Sequence, residues 1–131
     1  MPPMPFTALT TACMALMLLM LSARVLYLRI RLGQPLGDGG HVRLMRAVRV
    51  QGNFTEHVPM LLLLMLLLEW HGAPPLGLQI FGLLLLLARI VHAVGVSRVE
   101  ERLIWRALGT SLTLMLLSFG AVALVGLAWW R

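Results

Sequence analysis

A polar segment that runs without a break into an apolar one decides the fold: residues 46–59 read Arg46-Ala47-Val48-Arg49-Val50-Gln51-Gly52-Asn53-Phe54-Thr55-Glu56-His57-Val58-Pro59. The leucine-rich residues 60–68 follow directly. An ionised side chain near the centre of a bilayer costs about 2.5 to 3.5 kcal/mol on insertion scales, so such residues persist where they face other helices, an opposite charge or a ligand. This segment is therefore a candidate site as well as a structural landmark.

Helical periodicity places the polar residues of this segment on a single face. At about 100° per residue they fall within an arc of about 140°. The sequence thus predicts one polar stripe on a helix that enters the membrane. We define this polar stripe as Arg43, Arg46, Arg49, Asn53, Glu56 and His57.

The composition is that of an integral membrane protein. The chain has 131 residues, of which 60% are hydrophobic and only 12% charged, and its mean hydropathy is +0.89. Such values indicate one membrane-embedded domain and not a soluble core. The net charge of +6 comes from arginine alone, because the chain contains no lysine. Since these arginines flank apolar runs, they favour topology signals and anion contacts over binding of nucleic acid.

Cysteine and histidine offer little chemistry of their own. Cys13 is the single cysteine and lies inside the first apolar run, so no internal disulfide can form. We interpret it as a small buried apolar residue. His41 and His57 lack the spacing of a metal site, and no metal is expected.

Four membrane helices are predicted, which makes the chain an all-α integral membrane bundle with a single domain over residues 1–131. A glycine-dense loop at 33–40 separates the first two helices, and a Gly-Ala-Pro-Pro turn separates the next two. Pro59 falls inside the second helix, where a membrane bundle tolerates it. The predicted helices cover about residues 6–28, 41–70, 76–96 and 103–130.

The distribution of arginine predicts the orientation. The first and third connections with their flanks hold nine arginines, whereas the helix ends on the other side offer only Arg131. Arg89 lies deep in the third helix and belongs to neither group. By the positive-inside rule, both arginine-rich connections are cytoplasmic and both termini lie outside. The nine are Arg24, Arg29, Arg31, Arg43, Arg46, Arg49, Arg98, Arg102 and Arg106.

The third helix carries a second polar cluster. Arg89 and His92 are three residues apart and so share a face. Arg89 lies too deep in an apolar helix to be solvated, so it either snorkels to the cytoplasmic side or meets an acid such as Glu56. A purely structural Arg89–Glu56 pair and a hydrogen-bonded structural His92 are the alternatives to a functional role.

These residues bring the chain close to a known family. The pattern Arg46-x-x-Arg49-x-Gln51-x-Asn53-x-x-Glu56-x-x-Pro59, followed by Arg89-x-x-His92, resembles the signature of the membrane-associated proteins in eicosanoid and glutathione metabolism, the MAPEG family. The resemblance covers essentially the whole chain. It implies a homotrimer of four-helix subunits, with glutathione bound at subunit interfaces on the cytoplasmic side.

The resemblance also implies roles for individual residues. Guanidinium groups can grip the two carboxylates of glutathione through paired hydrogen bonds, and a carboxylate can accept from its amine. The implied glutathione-binding residues are Arg46, Arg49, Asn53 and Glu56 on the second helix and Arg89 and His92 on the third.

In catalytic members of the family, an arginine near the start of the fourth helix stabilises the glutathione thiolate. Arg106 resembles that residue, and Arg102 is the alternative. A nearby cation lowers a thiol pKa from about 8.5 and so increases the thiolate population. One departure concerns Val96, which occupies a position where several members carry a tyrosine.

The function implied is that of a bacterial inner-membrane glutathione transferase. The thiolate of bound glutathione would attack small hydrophobic electrophiles dissolved in membrane lipid, or reduce lipid hydroperoxides. A non-enzymatic scaffold that binds glutathione or lipid is the alternative, which the missing tyrosine favours. A small multidrug exporter ranks last, because residues 6–28 contain no membrane-embedded acid.

The orientation is testable by thiol labelling. With Cys13→Ala as background, single cysteines replacing Gly37 and Gly77 should react oppositely with an impermeant thiol reagent, because the first lies in an arginine-rich loop and the second does not. Labelling at position 37 from outside intact cells would reverse the assigned topology.

Overall fold

The computed structural model describes residues 4–97 and 103–129, and all of its regular elements are helices. The prediction of an all-α four-helix chain is confirmed. Among the residues assigned from sequence, Arg98, Arg102 and Arg131 lie outside the described part of the chain. The helices are α1 (Pro5–Leu32), α2 (Val42–Trp70), α3 (Pro75–Ser97) and α4 (Leu103–Trp129).

The first helix is longer than predicted. It continues past the expected end at about residue 28 to Leu32, because no helix-breaking residue occurs before Gly33. Gly33 adopts the left-handed conformation with φ 62°, which glycine adopts without steric cost. The Gln34 backbone N–H then donates to the Arg29 carbonyl at 3.1 Å and closes the helix.

Three helices, α1, α3 and α4, are long and apolar enough to cross a membrane. Helix α2 has sufficient length, but its first half carries the polar stripe and lowers its hydropathy. Its apolar half begins after Pro59, as the sequence predicts. The chain is therefore a membrane helical bundle in which one helix combines a polar and an apolar half.

Helices α2 and α3 form the central pair of the bundle. Each of them contacts the other and both flanking helices, whereas α1 and α4 do not touch within the described residues. The main apolar core accordingly lies along the central pair. Its buried members on this pair include Phe54, Leu61, Met65, Phe81 and Leu85.

Two glycines allow α3 and α4 to approach closely. A Cβ atom placed on Gly109 would lie 2.6 Å from the His92 backbone nitrogen, and one on Gly95 would lie 2.8 Å from the Arg106 backbone nitrogen. Real Cβ atoms do not approach backbone this closely, so neither position has room for a methyl group. This contact sets the start of α4 directly against the end of α3.

The far end of α2 fixes the beginning of α1. The Glu69 carboxylate accepts hydrogen bonds from the backbone N–H groups of Phe6, at 3.1 Å, and Thr7, at 2.8 Å. These N–H groups have no partner within the helix, and a carboxylate there also suits the positive end of the helix dipole. Glu69, at the end of α2, is therefore an N-terminal cap for α1.

The fold improves the choice of labelling position in the first loop. Gly37 has φ 66°, and its carbonyl accepts a hydrogen bond from Arg29, so a side chain there would strain the loop. Leu36 is 81% exposed and is the better site for a single cysteine.

Packing at the α3–α4 contact predicts a stability difference between two glycines of α4. Gly109→Ala should destabilise the protein by about 1 to 3 kcal/mol, since its methyl group would overlap His92. Gly126→Ala is the matched control, because no atom lies within 4 Å of its added Cβ and alanine has the higher helix propensity. Thermal unfolding in detergent should give a lower midpoint for Gly109→Ala only; equal midpoints would contradict the close approach.

Candidate functional site

A cavity of about 650 Å³ lies where the α1–α2 loop, the first turns of α2, the end of α3 and the start of α4 meet. This volume is in the usual range for small-molecule sites. The charged residues of its lining are Arg29, Asp38, Arg46, Arg49 and Arg106, joined by Val96 of α3.

The cavity is strongly cationic. Four arginines and one aspartate among the described lining residues leave a formal charge of +3. Such a site attracts an anion that carries more than one negative group. Within residues 4–97 and 103–129, no cluster of His, Cys, Asp or Glu is placed to hold a metal ion.

The polar stripe supplies two of these arginines, one turn apart. Arg49 is exposed and lines the cavity. Arg46 lines it as well, and its Nη1 donates to the Val96 carbonyl at 3.0 Å, which ties α2 to the end of α3. Val96 itself forms part of the wall, so the position that carries a tyrosine in several relatives offers no hydroxyl here.

Arg106 joins Arg46 and Arg49 at the same cavity although it lies more than fifty residues away along the chain. Its position follows from the glycine contact, because the Arg106 backbone abuts α3 at Gly95. The structure therefore brings together the residue predicted to act on the thiol and two residues predicted to bind glutathione.

The remaining residues of the polar stripe do not share one environment. Asn53 is buried and turns towards the bundle, whereas Glu56 is exposed. The helical wheel gave these residues one face because it ignores the neighbouring helices, and α3 covers only one side of the arc. The polar stripe therefore lies on one continuous helix, as the periodicity predicts, but its residues differ in burial.

Arg89 lies in the interior of the bundle. It is 2% exposed, and its Nη1 donates to the Asn53 side-chain oxygen at 3.0 Å and to the Asn53 backbone carbonyl at 3.4 Å. Both sequence-based expectations for Arg89 were wrong: it neither snorkels to the cytoplasmic face nor meets Glu56. The buried guanidinium instead joins α3 to α2 through an amide.

Glu56 pairs with Arg49 on the same helix. The Arg49 Nη1 and Glu56 Oε1 atoms are 3.6 Å apart, and both side chains are more than half exposed, at 67% and 51%. An exposed pair of this kind contributes little to stability. Glu56 is not among the described lining residues of the cavity, so it stands beside the cavity and not within it.

His92 lies beside the α3–α4 contact. It is buried, and its Nδ1 lies 3.2 Å from the Thr110 hydroxyl oxygen on α4. This contact fits the alternative of a hydrogen-bonded structural histidine. Like Arg89, His92 is absent from the described lining of the cavity.

Two lining residues, Arg29 and Asp38, were missed as site residues. Arg29 Nη1 donates to the carbonyls of Gln34, Pro35 and Gly37, at 3.2, 3.3 and 2.8 Å, which folds the loop onto the cavity. Asp38 Oδ1 accepts from the Gly40 backbone N–H at 2.9 Å. In the sequence, this arrangement is indicated only by the glycine-dense loop after an arginine, a pattern that is equally typical of a turn beside a topology signal.

Fold and site together define a class: a small membrane helical bundle with an arginine-lined cavity at one end. Comparison with known proteins gives the family. The sequence profile of the MAPEG family matches residues 7–126, and the chain belongs to this family.

Two curated relatives are inner membrane proteins. The chain is 36% identical over 107 residues to the inner membrane protein YecN of Escherichia coli strain K12, a match that spans 82% of this chain and 80% of that protein. YecN of Escherichia coli O6:H1 matches with the same identity and coverage. No solved structure matches the chain.

Proposed function

We propose that this chain is an inner-membrane glutathione transferase that joins glutathione to small hydrophobic electrophiles. The observation that carries the proposal is the convergence of arginines from the first helix, the second helix and the fourth helix on one cavity of a membrane bundle. Membership of a family concerned with glutathione and eicosanoid metabolism supports the choice of ligand.

Glutathione fits the charge of the cavity. It carries two carboxylates and one ammonium group, so it needs several cations and at least one acid. Arg46 and Arg49 lie one turn apart and are suited to the carboxylates, since each guanidinium can form paired hydrogen bonds. Glu56, next to Arg49, is suited to the ammonium group.

A second subunit would complete this arrangement. The Arg49–Glu56 pair is exposed on a helix that enters the membrane, and exposed charge at that depth is costly unless another protein surface covers it. We therefore propose the homotrimer that the family resemblance implies, with Glu56 brought to the ligand at the subunit interface.

Arg106 is the proposed activator of the thiol. A guanidinium beside the sulfur favours the thiolate over the thiol, because it stabilises the negative charge. The thiolate then forms a carbon–sulfur bond with the electrophile, and the leaving group departs with the bonding electron pair. With a lipid hydroperoxide, the same thiolate would attack the outer oxygen, and a second glutathione would complete the reduction.

The orientation follows the same reasoning. We propose that the cavity faces the cytoplasm, where glutathione is abundant, and that the electrophile enters from the lipid beside the apolar helices. Large apolar side chains of α1 and α4 are exposed along their length, as expected for surfaces in contact with lipid.

A non-enzymatic glutathione or lipid-binding protein is the second candidate. Val96 provides no hydroxyl at a position where several family members have a tyrosine, so one means of activating the thiol is missing. If this second candidate binds glutathione, it shares the binding site with the transferase and differs in whether the bound glutathione ionises; if it binds lipid alone, it differs already in glutathione binding.

Glutathione should bind with an affinity in about the micromolar to millimolar range. Glu56→Gln should weaken binding by about 1 to 3 kcal/mol, since it removes the charged partner of the ligand's ammonium group. Glu69→Gln is the control, because Glu69 caps α1 at the other end of α2 and should alter stability but not affinity. Calorimetry with glutathione measures the dissociation constants of both purified variants. An unchanged dissociation constant for Glu56→Gln in intact trimers would make Glu56 a structural residue.

Arg106→Leu should leave glutathione bound but lower its thiolate fraction at neutral pH. Conjugation of a model aryl chloride should fall by about 10²-fold, as for loss of one positioned electrostatic group. Ultraviolet absorbance of the thiolate, titrated against pH, reports the ionisation directly. A thiolate signal that persists in Arg106→Leu but vanishes in Arg102→Leu would assign thiol activation to Arg102. If the wild-type protein binds glutathione without forming thiolate below about pH 8.5, the non-enzymatic binding protein is favoured.

A further inference from the structure

We infer that Arg89 is a positioning residue that fixes the polarity of Asn53, so that Asn53 presents only hydrogen-bond donors and selects a carboxylate of the ligand. The inference rests on the proposed function, because it concerns the same glutathione site. It gives Arg89 an indirect role, in place of the direct glutathione binding that the family resemblance implies.

The contact between the two side chains allows one orientation of the amide. An arginine has donors and no acceptor, so the Asn53 atom 3.0 Å from Arg89 Nη1 must be the oxygen. The Asn53 backbone carbonyl accepts from the same Nη1 at 3.4 Å and lies 2.9 Å from His57 Nδ1. The Asn53 side-chain nitrogen has no partner in the described part of the chain, which leaves its two hydrogens for a ligand.

Burial separates the two roles. Arg89 is 2% exposed and is absent from the described lining of the cavity, so it acts through another residue. Asn53 is 9% exposed and is likewise not among the described lining residues, but it follows Gly52 directly and lies one turn after Arg49, and both of these line the cavity. Its side-chain nitrogen is not among the buried atoms without a hydrogen-bond partner, in contrast to Arg89 Nε and Nη2. Asn53 is therefore the group through which the buried guanidinium can influence a bound molecule.

The charge of Arg89 acts in the same direction as the hydrogen bond. No carboxylate contacts the guanidinium within residues 4–97 and 103–129, and its Nε and Nη2 atoms are buried there without partners. An uncompensated cation polarises the amide and strengthens donation from its nitrogen. Next to Asn53, the amide donors and the positive charge of Arg89 would both disfavour the ammonium group of the ligand. The same two features would both attract a carboxylate.

Substitution of Asn53 by aspartate separates positioning from structure. Asn53→Asp retains an oxygen for Arg89 and turns the contact into an ion pair, so the unfolding midpoint should stay the same or rise. The substitution removes both donors and adds a negative charge, so glutathione should bind at least about tenfold more weakly. Arg89→Met should weaken binding to a similar degree and also lower the unfolding midpoint, because the Asn53 oxygen loses its partner.

Thr113→Val is the matched control for loss of a buried polar group. Thr113 is 1% exposed and its hydroxyl donates to the Gly109 carbonyl at 2.7 Å, away from the cavity lining. It should lower the unfolding midpoint without changing the dissociation constant for glutathione. Both quantities are measured on the purified full-length protein in detergent, by thermal unfolding and by calorimetry with glutathione.

The outcomes are distinct. If the wild-type protein binds glutathione and Asn53→Asp binds it equally well, the inferred role is overturned while the proposed function stands. If Arg89→Met lowers only the midpoint, as Thr113→Val does, Arg89 is structural and the inference fails. Should Arg89→Met not fold, Asn53→Asp alone decides the question. A wild-type protein that binds no glutathione removes the proposed function and the inference together.

Discussion

The bond between Arg89 and Asn53 joins the two central helices where each carries its most polar buried group. A guanidinium in a membrane bundle is costly without a partner, and an amide oxygen on the neighbouring helix is a partner that adds no second charge. The α2–α3 pairing brings Arg46 to the Val96 carbonyl at the end of α3. The cavity is built on this central pair, with α1 and α4 supplying one wall each.

Much of this arrangement could be predicted from sequence because it depends on local patterns. Apolar runs and glycine-rich turns located four helices, and the spacing of Arg46 and Arg49 located the part of α2 that lines the cavity. The partners of Arg89 and Glu56 could not be predicted, since a helical wheel contains no information about which neighbour covers each side of the helix. The position of Asp38 in the cavity wall was not predicted either, because it depends on loop glycines with positive φ and on the hydrogen bonds from Arg29 to the loop carbonyls.

The site divides into layers with different requirements. Arg46, Arg49 and Arg106 line the cavity, while Asn53, Arg89 and His92 are buried behind them. The residues in this inner layer connect helices, since Arg89 donates to Asn53 on α2 and His92 lies 3.2 Å from the Thr110 hydroxyl on α4.

The contact of Gly95 and Gly109 has a consequence for motion. Helices that meet through backbone atoms cannot slide or tilt against each other without collision, so α3 and α4 form one rigid wall that holds Arg106 at a fixed height. The opposite wall is a surface loop, fastened chiefly by one arginine side chain to backbone carbonyls. We therefore expect the cavity to change shape mainly on the side of α1.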